Sequence, residues 1–437
     1  MDRVKGDVAV GGRLQAACDG RSQEARETLP IGPSAKLAAL TSGALALPGM
    51  LAGPAGADSP VQEPSADYSF SYYKEDNLSP GLWNEDLGGS RNRYEIFAHQ
   101  FSLIAPVTSR IDTRVDLVFE TMSGASPWWV TWDQGQQKYL QVMSGATIFE
   151  QRVDGQIGVN HYFDRGHIGL TGGVSSEKDY LSGNFGFDIE RSFNDKNTVL
   201  NVGLGFSWDT ITPTDPAQHD DLGLGVYYKK AQAFNLTLSQ ILYRDAILQA
   251  GLAYKHGDGY LSDPYKRVEV SNDGTTVDDR RPSERHQLTP FARYRHFIRP
   301  ANASLHVDVA GQWDSWSVSS FTAEVAWYQT LFERFELIPS FRYYSQSQAD
   351  FYGPVFRFGI PTYRTSDYRL SPFGAISYGL RANAHLDGWP DRDLSWILSL
   401  AYQRYRTSAD WAISDVELAN PGLVEYHLFS VLLGAKF

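Results

Sequence analysis

The stretch Ile111-Asp112-Thr113-Arg114-Val115-Asp116-Leu117-Val118-Phe119-Glu120 alternates between uncharged and charged side chains, with Val118 as its one exception. Successive side chains of an extended chain point to opposite faces, so the odd positions share an apolar face and the even positions share a charged face. A helix of the same sequence would scatter these charges around its circumference. The stretch therefore predicts a β-strand that lies between an apolar and an aqueous environment.

The same alternation recurs along the chain and predicts sixteen strands, most of them longer than the strands of soluble sheets. A tilted strand that crosses a membrane needs about 9–11 residues, which fits these lengths. We therefore predict an all-β fold, a single transmembrane antiparallel up-and-down β-barrel of about 16 strands (range 14–18) over residues 67–437. The strands are expected near 67–75, 92–104, 110–122, 147–162, 166–176, 181–193, 197–209, 232–242, 246–256, 284–297, 303–315, 317–330, 335–347, 369–384, 394–406 and 424–437.

The predicted connections alternate between tight turns, such as Asp164–Gly166 and Arg299–Asn302, and mostly long loops, such as 123–146 and 257–283. Short turns on one side and long loops on the other are typical of outer-membrane barrels. An even strand number then places both termini on the periplasmic side. The net charge of -12 argues against a nucleic-acid partner, because phosphate binding needs a basic surface.

The beginning of the chain has the order of a secretory signal. Lys36 precedes a modestly apolar run from Leu37 to Ala52, and Ala55-Gly56-Ala57 follows as a cleavage site. We predict a leader and signal peptide over residues 1–57 and a periplasmic N-terminal segment over 58–66. The chain's one cysteine, Cys18, lies in the leader, so cleavage would leave no thiol for a disulfide or a zinc site.

The end of the chain alternates towards a terminal aromatic residue. Phe429, Val431, Leu433 and Phe437 share one face, and this pattern is similar to the signal that the outer-membrane barrel assembly machinery recognises. We expect this machinery, outer-membrane lipid and lipopolysaccharide to be partners of the chain.

The charged faces of the strands would line the lumen, because intramembrane charges are tolerated only beside water or in pairs. They could filter polar solutes in an aqueous channel, or pair into a salt-bridged plug, and the sequence leaves both open. The candidates are Asp112, Arg114, Asp116, Glu120, Arg152, Asp154, Asp308, Glu324, Arg342 and Arg381.

The region from Asp67 to Leu380 resembles the bacterial domain-of-unknown-function family 3570. The resemblance is carried most by Asp258-Gly259-Tyr260-Leu261-Ser262-Asp263-Pro264-Tyr265-Lys266, with support from Ser123-Gly124-Ala125-Ser126-Pro127, Ser176-Glu177-Lys178-Asp179-Tyr180, Phe193-Asn194-Asp195-Lys196-Asn197-Thr198 and Ser347-Gln348-Ala349-Asp350-Phe351-Tyr352. The resemblance implies an outer-membrane-type barrel and a periplasmic redox setting with possible redox partners, and it implies no activity.

Four of these motifs fall in connections on the long-loop side, where they would form an acidic and aromatic rim. Clustered carboxylates suit calcium, whereas Asp-Gly and Asp-Pro also simply make turns, and we favour turns. We expect no other cofactor, and the sequence leaves any metal unknown. The rim candidates are Asp179, Tyr180, Asp258, Tyr260, Asp263, Tyr265, Asp350 and Tyr352.

The functional hypotheses are a porin-like channel for small polar solutes, followed by a non-conducting structural or assembly partner of periplasmic redox proteins. An outer-membrane enzyme ranks last, because the ten histidines are scattered and no nucleophile elbow or paired-histidine metal motif is present. We therefore expect no catalytic residue.

Overall fold

The computed structural model describes residues 60–61, 63–144, 148–214, 225–271, 274–332, 334–387 and 394–437. The predicted leader and signal peptide, residues 1–57, lie outside the described residues. Short 3-10 helices occur at Pro80–Leu82, Glu85–Leu87, Arg299–Ala301, Tyr368–Leu370 and Ala409–Trp411. In the described ranges no helix is long and apolar enough to cross a membrane.

Strands make up most of the described chain. They are β1 (Ser65–Glu75), β2 (Glu95–Thr108), β3 (Ile111–Gly124), β4 (Pro127–Asp133), β5 (Lys138–Met143), β6 (Ile148–Phe163), β7 (Gly166–Ser176), β8 (Tyr180–Phe193), β9 (Thr198–Ile211), β10 (Tyr227–Tyr243), β11 (Ala246–Gly259), β12 (Arg267–Glu269), β13 (Thr276–Asp278), β14 (Glu284–Ile298), β15 (Ala303–Asp314), β16 (Ser319–Leu331), β17 (Phe335–Gln346), β18 (Phe373–Asp387), β19 (Ser395–Ser408) and β20 (Tyr426–Lys436).

Sixteen of these strands form one closed antiparallel barrel in chain order, which confirms the predicted fold class. The barrel closes where β1 pairs with β20 from Ser65 opposite Lys436 to Glu75 opposite Tyr426. The remaining strands form two small hairpins, β4–β5 and β12–β13, inside connections that the sequence analysis treated as loops.

The two faces of the barrel wall differ in chemistry. Leu117 on β3 is 52% exposed, and its partners across the sheet are Phe101 on β2 and Gly155 on β6. The neighbouring positions Asp116 and Glu120 face the other side, where Glu120 is fully buried. The same parity holds around the barrel, so large exposed apolar side chains cover its outer surface. Such a surface is stable beside hydrocarbon rather than water.

The connections at the two ends of the barrel differ in length. At the end where β1 begins and β20 ends, the turns include 109–110, 164–165 and 299–302, where Asn302 adopts the left-handed φ of 47°. This conformation suits asparagine, whose short side chain tolerates positive φ. The opposite end carries all the long connections.

One strand begins earlier than the sequence indicated. β10 starts at Tyr227, whereas the apolar alternation becomes visible only near residue 232. The first residues of this strand pair with the end of β9, and Lys229 on the lumen face contacts Asp209 at 3.1 Å. This paired polar end hides the strand from a pattern of alternating hydrophobicity.

The outer surface yields a direct test with adjacent residues. Leu117→Lys places a charge on the outward face near the middle of β3, whereas Val118→Lys places the same charge in the lumen. We expect Leu117→Lys to reduce the free energy of unfolding in phospholipid vesicles by about 2–4 kcal/mol, because lysine is costly at the bilayer midplane. Urea titration of both variants measures the difference. Equal losses in the two variants would contradict a lipid-facing Leu117.

Candidate functional site

The lumen wall carries the ten charged residues that the sequence analysis proposed for it. Strand pairing places Asp112, Arg114, Asp116 and Glu120 of β3 on the same face as even-numbered residues of β6, including Arg152 and Asp154. On the far wall, Asp308 of β15 stands opposite Glu324 of β16, and Glu324 stands opposite Arg342 of β17. Arg381 of β18 lies on this face opposite Ile338. The ten residues therefore fall into two separate groups.

The first group is built around ion pairs along the wall. Arg152 reaches Glu120 with an N–O distance of 3.2 Å and Asp154 at 3.5 Å, and its Nε donates to Ser175 at 2.9 Å. Arg114 pairs with Asp116 at 2.7 Å while its side chain keeps 38% of its surface exposed. These contacts run between neighbouring positions of β3, β6 and β7.

The second group lines a cavity of about 110 Å³ on the wall formed by β16 to β20. Glu324, Arg342 and Arg381 contribute charge to it, and Tyr328 and Tyr426 contribute aromatic rings. Asp308 stands beside it and is held by a two-pronged contact with Arg295, whose Nη2 lies 2.9 Å from Asp308 Oδ2. The cavity is a recess of the lumen wall that both charged and apolar side chains line.

Charge is unevenly distributed around the lumen. Strands β3 to β9 carry mostly carboxylates, whereas the lumen face of β10, β11 and β14 carries Lys229, Lys255, Arg285, Arg293 and Arg295. None of these last three strands, which are described in full, places a carboxylate on that face. Lys255 points into the barrel and is exposed there. Neighbouring arcs of opposite charge create a transverse field across the lumen.

Six long connections and two short ones, 177–179 and 315–318, fold together over one end of the barrel, and we call them the cap. It consists of the described residues of 76–94, 125–147, 177–179, 212–226, 260–283, 315–318, 347–372 and 409–425. Connection 260–283 starts from β11, half-way around the barrel from β1. Its Tyr265 nevertheless packs in one buried cluster with Tyr73 of β1, Ile96 of β2 and Met122 of β3. The connection therefore crosses the barrel mouth.

Buried ion pairs hold the cap together. Asp367 is completely buried and contacts Arg369, Arg281 Nη2 at 3.0 Å and Lys266 Nζ at 3.8 Å. Arg369 and Arg281 also pair with Asp263 and Asp279, respectively, each at 2.8 Å. Three carboxylates thus balance three cations from two separate connections. Removing one partner would leave a buried charge uncompensated, which is strongly destabilising.

The pKa values in this network follow from burial and proximity. Burial opposes ionisation of Asp367, but Arg369, Lys266 and Arg281 overcome it and hold the pKa of this carboxyl well below its usual value. Burial lowers the pKa of Lys266, although Asp367 acts in the opposite direction. Asp367 is therefore ionised throughout the physiological range and serves as the anionic centre of the cap.

A second ion pair joins connections 76–94 and 409–425 to the segment that carries Asp367. Arg93 lies 2.7 Å from Glu75 at the end of β1, and both side chains are buried. Arg93 also donates to the carbonyl of Gly422 at 3.1 Å and lies over the ring of Tyr368. The β4–β5 hairpin also contacts this network, because Lys266 Nζ donates a hydrogen bond to the carbonyl of Pro127 at 2.8 Å.

The predicted rim residues lie in or beside the cap, but the four aspartates do not form one cluster. Asp179 accepts a hydrogen bond from the hydroxyl of the buried Tyr265. Asp263 pairs with Arg369, and Asp350 is exposed and accepts from Ser317 Oγ at 2.6 Å. The others are dispersed: Tyr180 accepts from Lys229 at 3.1 Å, Tyr260 stacks on Tyr227, Tyr352 accepts from Asn420 at 2.9 Å, and Asp258 is exposed on the outer face.

Two glycines of the motifs quoted above are explained by backbone geometry. Gly259 ends β11 with a φ of 107°, and a Cβ there would lie 2.3 Å from the carbonyl oxygen of Tyr228. Gly124 ends β3 with a φ of 123°, and its Cβ would lie 2.5 Å from the carbonyl oxygen of Arg93. Only glycine adopts such conformations without strain and allows so close an approach. Both motifs therefore mark the points where wall strands become cap.

Sequence reasoning missed most of the ion-pair network. Lys266 stood in a quoted motif without a role, and Asp279, Arg281, Asp367 and Arg369 were not proposed at all. Their one visible signal is the high density of charge in connections 260–283 and 347–372, which ordinarily indicates a solvated loop.

A closed sixteen-stranded barrel with an apolar outer surface and a charged lumen defines an outer-membrane-type β-barrel protein. The sequence profile of the family described as "Protein of unknown function (DUF3570)" matches residues 37–412, so the chain belongs to that family and the proposed resemblance is confirmed. No curated protein matches the sequence.

Several solved structures share the barrel architecture at low identity. A structure titled "Bacterial polysaccharide outer membrane secretin" has a TM-score of 0.43 at 9% identity and covers 86% of this chain and 98% of its own. Acinetobacter baumannii OccAB4 has a TM-score of 0.41 at 7% identity, with 87% and 100% covered. The outer membrane protein opdK from Pseudomonas aeruginosa has a TM-score of 0.39 at 10% identity, with 86% and 99% covered.

Glu177, in the connection between β7 and β8, is a buried carboxylate whose two oxygens have no hydrogen-bond partner among the described residues. Burial is the main cause that raises its pKa to about 9, and Asp179, Glu150 and Glu120 reinforce this against the opposing Arg152. Glu177 is therefore protonated at neutral pH in the closed cap. Because the same carboxyl has its ordinary pKa of 4.5 once the cap opens, the cap loses stability as the pH rises from about 4.5 to about 9, where the loss is complete.

This titration predicts a pH effect that one substitution removes. We expect the wild-type cap to become more sensitive to protease between about pH 6 and pH 9, and Glu177→Gln to lose part of that increase, because glutamine cannot ionise. Limited proteolysis of the folded barrel measures the difference. Glu417→Gln, which changes an exposed glutamate of the same cap, should behave as wild type. Equal pH profiles for wild type and Glu177→Gln would contradict a neutral Glu177.

Proposed function

We propose that the protein is an outer-membrane channel for small polar solutes whose passage is controlled by the cap. The observation that carries this proposal is the charge of the lumen face, where the cations of β10, β11 and β14, among them the exposed Lys255, stand beside the acidic arc of β3 to β9. Lys255 has no ion-pair partner among the described residues, so its charge can act on a solute rather than on the wall. Adjacent arcs of opposite sign orient dipolar solutes and filter them by charge.

The cap is the controlling element in this proposal. Connection 260–283 crosses the mouth, and its ion pairs with connection 347–372 hold it there. Passage of a solute then requires displacement of these connections or movement through gaps between them. Because the network balances charge, it forms one stable arrangement and loses stability when one member is removed.

We further propose that the end with the short turns faces the periplasm and that the cap faces the exterior. β1 begins and β20 ends at the short-turn end, where Ser65 lies opposite Lys436. Outer-membrane barrels place short turns in the periplasm and long connections outside. Phe429, Val431 and Leu433 are exposed on the outer surface of β20, and Phe437 follows that strand. Their recognition by the assembly machinery stays a prediction.

A second candidate is a barrel that conducts nothing and supports periplasmic redox partners. The specific observation in its favour is the extent of the cap, in which all the long connections interlock. The two candidates differ in what happens when the cap is weakened. A channel gains conductance, whereas a structural barrel remains silent.

Asp367→Asn tests the channel directly. Loss of the central carboxylate leaves three buried cations with two carboxylates and should destabilise the closed cap by about 3–5 kcal/mol. We expect single-channel recordings in planar bilayers to show a higher open probability for this variant than for wild type. On that background, Arg342→Glu should shift the reversal potential in a salt gradient towards cation selectivity, because it reverses one charge of the lumen recess.

Asp350→Asn is the matched control, because it removes an exposed aspartate of the same connection and should leave conductance as in wild type. Heat-modifiable migration in gels confirms that each barrel is folded before recording. Silence of the correctly folded Asp367→Asn variant would contradict the channel and favour the non-conducting barrel. An unchanged reversal potential for Arg342→Glu would remove the recess from the solute path.

A further inference from the structure

The outer surface of the barrel carries a compact group of metal-ligating side chains close to the cap. His256 of β11 stands opposite His286 of β14, and Glu284 precedes His286 by two positions on the same face. One possible ligand atom from each of the three residues lies within 4.8 Å of the others. Among the described residues, this is the one group of three or more histidine and acidic side chains with such geometry. The sequence alone does not indicate this group, because the two histidines are thirty positions apart.

The two imidazoles are arranged side by side. Their ring centroids are 4.5 Å apart and their planes differ by 8°. Directly opposed positions on neighbouring antiparallel strands have Cβ atoms about 4.5–5.5 Å apart, so the rigid sheet rather than a flexible loop fixes this spacing. A metal ion would therefore meet ligands that need only side-chain rotation to converge.

Tyr254 orients one of the two rings. Its hydroxyl lies 2.8 Å from Nδ1 of His286, and Glu284 lies 4.0 Å from Nε2 of the same ring. With Nδ1 engaged by the hydroxyl, Nε2 is the ring nitrogen left to face the carboxylate and a metal ion. Metal-binding histidines usually have their other ring nitrogen held by such a partner, which fixes the ring orientation.

The chemistry of these donors selects the class of ion. Imidazole nitrogens suit zinc, copper and nickel, whereas calcium and magnesium prefer all-oxygen sites. Two histidines and one glutamate form a common three-ligand set for zinc, with a fourth position left for water or another oxygen. Asp258 stands opposite Glu284 in the sheet and is exposed, so a second carboxylate is at hand on the same face.

We propose that His256, Glu284 and His286 form a binding site for a zinc-class divalent ion on the outer surface of the barrel, next to the cap. The site faces away from the lumen, so it is separate from the proposed solute path. Below it on the same face, Tyr254 and Leu288 are paired and begin the apolar surface. Above it on the same face, Lys230 of β10 stands opposite Asp258 of β11 in the sheet, and both side chains are polar. The ion would therefore sit at the boundary between the hydrocarbon and the polar surface layer.

The test is zinc titration of the untagged, full-length folded barrel in detergent, after removal of metal with a chelator. Isothermal calorimetry should show one equivalent of Zn²⁺ bound, and His256→Gln or His286→Gln should abolish that binding. Tyr254→Phe should weaken it by about tenfold, because the ring of His286 loses its orienting partner. Substituting Cu²⁺ and recording electron paramagnetic resonance should show two coupled nitrogens in wild type and no such signal in His256→Gln.

His99→Gln is the matched control. His99 accepts or donates the same kind of hydrogen bond, with the hydroxyl of Tyr68 2.9 Å from its Nδ1, but its partners across the sheet are Phe70 and Phe119. This variant should bind Zn²⁺ as wild type does. Absence of stoichiometric binding in the folded wild-type barrel would overturn the proposal. Equal binding by wild type, His256→Gln and His286→Gln would overturn it as well, since the ion would then be held elsewhere.

Discussion

Closure of the sheet is the constraint on which the rest of the structure depends. In hydrocarbon, every backbone N–H and C=O group needs a partner within the protein, because no water is available to replace a missing hydrogen bond. An open sheet would leave two unpaired edges, and the pairing of β1 with β20 removes both. Closure also separates the two faces of every strand, so that alternate side chains meet either lipid or the lumen. The apolar outer surface and the charged lumen are both consequences of this single topological fact.

A barrel of this size encloses a wide lumen, and the cap covers one end of it. Sixteen strands enclose a lumen too wide for wall side chains to fill, so its contents depend on what lies across the ends. The chain uses connections anchored on opposite walls, and it joins them through buried ions rather than through a large apolar core. A buried ion pair stabilises little relative to an apolar contact, but it tolerates few alternative arrangements. The network around Asp367 therefore favours one closed arrangement of the cap that depends on all its members.

The sequence predicted the wall well and the cap poorly, for physical reasons. Residues 111–120 reveal a strand because lipid and water impose opposite demands on successive side chains, and the same alternation indicated each of the sixteen wall strands except for the polar beginning of β10. The cap has no such periodicity. Asp367 and Arg281 are 86 positions apart and meet only through the tertiary fold. The zinc-class site shows the same limitation, because the pairing of His256 with His286 depends on the register between β11 and β14. Glycines such as Gly259 give the nearest local signal, since a strained backbone marks the entry to a cap connection.

A disulfide across the closing seam tests the central claim most directly. Ser71 of β1 and Ser430 of β20 face each other in the lumen with their Oγ atoms 2.9 Å apart. In a Cys18→Ser background, Ser71→Cys with Ser430→Cys should form an intramolecular disulfide in nearly every barrel embedded in vesicles, detectable by mass spectrometry. Ser71→Cys with Phe429→Cys, whose side chains point to opposite faces, should not. Failure of the first pair to form the bond, or equal bonding by both pairs, would contradict a closed barrel with this register.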